Sequence, residues 1–69
     1  MQDKVQIIKD KLALNFKGAK VRSLGQTIRM NVNELKDGPL IALGVISVTD
    51  CCDIVIKRSG TGLVIIITV

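Results

Sequence analysis

Residues 60–69, GTGLVIIITV, end the chain on its most apolar segment. Residues 62–69 hold six bulky aliphatic side chains and no charge. The preceding Ser59-Gly60-Thr61-Gly62 is rich in residues that permit positive φ, which predicts a turn between a strand at 53–58 and a last strand at 63–69. Along that last strand Leu63, Ile65, Ile67 and Val69 take one face, and Val64 and Ile66 take the other. At a sheet margin, an uncharged strand that is apolar on both faces invites pairing with another chain. The expectation is self-association through Leu63, Val64, Ile65, Ile66, Ile67 and Val69, at the strand's edge or across its outer face.

Working back from this hairpin, Pro39 follows Gly38 and suits the first position of a helix, where its missing N–H costs nothing. A short helix is expected over 39–45, with Leu40, Leu43 and Ile41 turned inward and Gly44 near its end. Ile46-Ser47-Val48 fits either a continued helix or an extended piece, and Asn33–Gly38 is polar and turn-like. In residues 26–32, QTIRMNV, Ile28, Met30 and Val32 alternate with Thr27, Arg29 and Asn31, the pattern of a half-buried strand. Residues 19–24 form a shorter strand that joins it as a hairpin around Leu24-Gly25. In residues 2–16, Val5, Ile8, Leu12 and Phe16 recur at steps of three or four, which marks an amphipathic helix with Asp3 near its positive end. Leu12 to Phe16 also alternates, leaving a strand from Leu12 as a competitor, and Lys17-Gly18 is a natural stop. The order is α-β-β-α-β-β. It predicts one α+β domain over 1–69, an open-faced β-sandwich whose four-stranded antiparallel sheet carries two helices on one face.

Composition narrows the function. At 69 residues, 48% hydrophobic and 1% aromatic, the core has to be aliphatic. The net charge of +4 comes from ten Lys and Arg spread along the chain, so there is a mild attraction to anionic partners but no basic tail. With no Trp or Tyr and a single Phe, the stacking residues common in single-strand binders are missing. The absence of His removes every His-based catalytic arrangement. No C-x-x-C occurs, so neither a zinc site nor a thioredoxin-like motif can be built. No metal, cofactor or catalytic residue is therefore expected.

Cys51 and Cys52 are neighbours, and adjacent cysteines bridge each other only with strain. They read as small buried or half-buried thiols, with a redox-sensitive pair or an intermolecular bridge as the sharper alternative. Asp50 and Asp53 flank them and oppose thiolate formation. Gly60-Thr61-Gly62 lies between strands and opens no helix, so it is a hairpin turn and not a phosphate cradle. No signal peptide is seen, and no apolar run approaches the roughly 20 residues needed to span a bilayer. With free thiols, the cytoplasm is the expected compartment.

The stretch GQTIRMNVNELKDGPLIALGVISVTDCCDIVIKRSG, residues 25–60, resembles the bacterial phosphocarrier HPr family. Gly25-Gln26-Thr27-Ile28 resembles the start of that family's second hairpin strand. Ile41-Ala42-Leu43-Gly44-Val45 is similar to its short helix and helix end, and Asp53-Ile54-Val55-Ile56 to the strand that follows. The resemblance implies an open-faced sandwich. It does not carry the activity: the family's opening strand and histidine loop have no counterpart, and Lys36 and Asp37 stand near the position of its regulatory serine. It implies a degenerate domain in which 63–69 fills the slot of the missing first strand, a circular permutation. The leading expectation is a non-catalytic, cytoplasmic protein-binding or regulatory domain, homodimeric through its last strand. The alternative is a small basic nucleic-acid-binding module.

Overall fold

A computed structural model describes residues 3–69. The expected helix start at residue 2 lies outside the described residues. The first helix, α1, spans Lys4–Asn15. Asp3 caps it, its side chain accepting a hydrogen bond from the Val5 amide at 3.1 Å. Leu12 is buried in this helix together with Ile8, so the competing strand from Leu12 does not form.

Strands β1 (Lys20–Leu24) and β2 (Thr27–Val32) make the first hairpin, and β3 (Asp53–Ser59) and β4 (Gly62–Thr68) the second. The two loops share one device. Gly25 and Gly60 each take the first loop position, with φ of 61° and 60°, conformations that a side chain disfavours.

Between the hairpins, α2 runs over Asp37–Thr49, longer at both ends than the 39–45 expected. Pro39 falls inside the first turn, where amides have no intrahelical partner anyway, so the helix can begin before it. Gly44 does not end it. A mid-helix glycine costs only about 1 kcal/mol, and Ile46 beyond it is buried in the core. The helix instead ends at Asp50. There Cys51 adopts φ of 52° and the Cys52 amide donates to the Ser47 carbonyl at 3.3 Å, the long hydrogen bond of a Schellman cap.

The sheet order is β1-β2-β4-β3, antiparallel throughout. This corrects the edge expectation for β4. Leu63 to Thr68 is paired on one side to β2 and on the other to β3, so its backbone is not free to recruit a further strand. The physical reason is its double-sided apolarity. An inner position satisfies both rows of backbone groups and leaves the charged Lys57 and Arg58 on β3 at the margin.

Both helices lie on one face of the sheet. Ile8, Leu12 and Phe16 from α1, Leu43 and Ile46 from α2, and Ile28, Met30, Ile65 and Ile67 from the sheet form one buried cluster, joined by Cys52. Leu40 and Ile41, expected inside, are 45% and 67% exposed. The longer α2 turns only the Leu43–Ile46 side to the sheet. Lys11 Nζ to Asp50 Oδ2, at 2.8 Å, ties α1 to the end of α2.

Candidate functional site

With both helices on one side, the other face of the sheet is left uncovered. Strand alternation sends every second residue there, and the register sets those residues in rows. One row runs Arg22, Arg29, Ile66, Val55 from β1 to β3. The next runs Lys20, Asn31, Val64, Lys57, and a third runs Leu24, Thr27, Thr68, Asp53.

The result is a surface divided by chemistry. Its β1–β2 side is cationic, with Lys20, Arg22 and Arg29 all exposed. Its middle is aliphatic, with Val64 and Ile66 half-buried and Val55 47% exposed. Lys57 supplies a further cation on the far strand, and Asp53 at the corner is the one carboxylate in these rows. Among the described residues, none of these four cations is in an ion pair; the salt bridges formed there are Lys11–Asp50 and Lys36–Glu34.

Arg22 and Arg29 are direct cross-strand partners. Like charges in that relation destabilise a sheet by a few tenths of a kcal/mol up to about 1 kcal/mol. Neither arginine is relieved by an ion pair among the described residues.

At the end of the sheet where β1 begins and β2 ends lies an open cleft of about 580 Å³. Lys17, Lys20 and Lys36 line it with Asn15, Asn31 and Asn33. Lys20 and Asn31 belong to both the cleft and the uncovered face, so the two are continuous. A smaller hollow of about 250 Å³, lined by Asn31, Asn33, Ser59 and Thr61, continues along the same end.

Of the residues singled out by sequence, β4 contributes Val64 and Ile66 to this face, while Ile65 and Ile67 are fully buried on the other side. Leu63 and Val69 are half-buried. The adjacent thiols are separated by the helix cap. Cys51 is exposed, Cys52 is buried, and both are free. Cys52 packs into the core with its Sγ 3.8 Å from the Ile46 carbonyl. Burial pushes the Cys52 thiol above its ordinary pKa, the nearby Asp50 carboxylate adds to this, and the opposing effect of Lys4 is followed by a lesser upward push from Asp53. It is a poor nucleophile by environment as well as by access.

No group of three or more Cys, Asp or Glu is placed to hold a metal among the described residues. No helix among them is long and apolar enough to cross a membrane. Sequence reading passed over Lys20, Arg22 and Arg29 because they are dispersed along the chain. The signal was present in the alternation of β2, which sets Arg29 opposite the core residues Ile28 and Met30. Comparison with protein families, with curated proteins and with solved structures finds no match for this chain.

Proposed function

We propose that this protein is a non-catalytic module that binds the phosphate backbone of nucleic acid on the uncovered face of its sheet. The observation that carries this reading is the Arg22–Arg29 cross-strand pair, flanked by Lys20 and Lys57 on the same open surface. Four cations in fixed rows match a chain of phosphates better than a single small anion. Binding of this kind is weak in sequence preference, because phosphates carry no base information. With no Trp or Tyr in the chain, aromatic side chains add little base contact at this face, in keeping with weak sequence preference. The aliphatic strip of Val55, Val64 and Ile66 between the cations offers an apolar bed for sugars and base edges. Free thiols suit a reducing compartment such as the cytoplasm.

Titrating a fluorescent single-stranded oligonucleotide across a range of salt tests the reading. Four phosphate contacts give a slope of log K against log salt of about −3. Arg22→Glu or Arg29→Glu abolishes the binding, and Lys57→Ala flattens the slope by about 0.7. Binding that ignores salt, or that survives both arginine reversals, contradicts the reading.

The protein-binding alternative draws on the apolar strip and on the resemblance to HPr. A folded protein ligand at this face responds to Val55→Ser and Ile66→Ser more than to the arginine reversals.

A further inference from the structure

The second unsatisfied surface is on α2. Between Gly38 and Thr49 this helix carries no charged residue. Leu43 and Ile46 point into the core, while on the opposite side Ile41, Val45 and Val48 are 67%, 57% and 79% exposed. Their spacing of four and then three residues is that of one helix face packing against another helix. A helix that is apolar all round is normally covered on both sides.

Gly44 lies on this outer face, exposed to solvent. A Cβ built there meets nothing within 4 Å, so no contact inside the chain calls for a glycine. Its cost of about 1 kcal/mol relative to alanine is thus without an internal reason.

We infer that the occupant of this face is a second copy of the chain, bound through an antiparallel α2–α2 contact with a two-fold axis between residues 44 and 45. That symmetry sets Ile41 against Val48 of the second copy and Val45 over its Gly44, at both ends at once. The uncharged helix lets two copies of a +4 chain meet without repulsion. The sheet face carries Lys20, Arg22, Arg29 and Lys57 against the single carboxylate Asp53, so two copies meeting there bring like net charge together. The dimer turns both cationic faces outward on opposite sides, so it leaves the proposed nucleic-acid surface free.

Sedimentation of the full chain without nucleic acid tests this, and its outcome is independent of the binding assay. The expected result is a monomer–dimer equilibrium with a roughly micromolar dissociation constant. Ile41→Glu and Val48→Lys, both at exposed positions, each weaken it at least about tenfold with the helical circular dichroism unchanged. Mixing the two variants restores a dimer, since the new carboxylate then faces the new ammonium across the contact. A wild-type chain that stays monomeric, or a dimer untouched by both variants, overturns the inference. So does a dimer lost instead on Ile56→Lys at the β3 margin. Binding of a monomeric wild-type chain to anionic vesicles, lost on Val48→Lys, assigns the face to lipid and likewise overturns it.

Discussion

Arg22 stands directly across from Arg29 in the β1–β2 ladder, on the side of the sheet that no helix covers. Two guanidinium groups in that relation repel at a site where almost any other pairing is more stable. Their position couples stability and binding in opposite directions. Arg22→Glu converts the repulsion into a cross-strand ion pair and raises stability by about 0.5–1 kcal/mol. The same change removes oligonucleotide binding. Urea denaturation and anisotropy titration of the one variant check both signs.

The approach of β4 to β2 depends on a missing side chain. A Cβ at Gly62 would lie 2.7 Å from the Val32 carbonyl oxygen, which belongs to the backbone and cannot swing aside. Gly62→Ala therefore shifts the β2–β4 ladder at that end and costs about 1–3 kcal/mol. Faster amide exchange at Val32 and Leu63, with the Asp53–Thr68 end of the sheet unchanged, is the expected pattern.

Cys51 occupies the left-handed position that ends α2, a place usually taken by glycine. Cys51→Gly relieves a penalty of roughly 1–2 kcal/mol, offset in part by the greater freedom of glycine when unfolded. A net gain of about 0.5–1 kcal/mol in thermal denaturation is expected. A loss of that size would mean that the exposed thiol makes a stabilising contact of its own.

Cys52 gives a pH dependence. Its folded pKa is raised by burial first and by Asp50 next. In the unfolded chain the thiol therefore ionises at lower pH than in the folded one. Stability from this group is complete below the ordinary thiol pKa, and it falls as pH rises through that value toward the raised one. Cys52→Ala should flatten this alkaline decline, at the expense of some core packing. Alkylation kinetics should separate the pair, with Cys51 labelled at once and Cys52 only as the fold opens.

The core is small and its centre is β4. Ile65 is fully buried between Met30 on β2 and Ile56 on β3. Ile65→Ala costs about 2–5 kcal/mol. Since a domain of this size rarely holds more than about 3–5 kcal/mol, the variant should be largely unfolded by circular dichroism at room temperature. A cooperative wild-type-like melt would show that stability comes from elsewhere, the α2 dimer contact being the first place to look.

Local chemistry was legible. The 3–4 spacing of Ile8, Leu12 and Phe16 marks the helix and its buried side, and all three are in the core. The alternation of Ile28 and Met30 with Arg29 marks β2 and both of its faces. Gly25 and Gly60 mark the two hairpin loops. The extent of α2 was less legible, because Pro39 and Gly44 are boundary signals in isolation. The burial of Leu43 and Ile46 outweighs them.

What the sequence determined by itself is the number, kind and order of the elements, and which face of each strand is apolar. Those properties follow from periods of two and of about 3.6 residues, which are local. What only the tertiary structure decided is which strands are neighbours. That choice moved β4 from the expected margin to the interior, and it gathered Lys20, Arg22, Arg29 and Lys57, scattered over 38 positions, onto one surface. Strand order depends on the pairing of backbone groups far apart in the chain and on the burial that each arrangement gains. Neither quantity is written in any short segment.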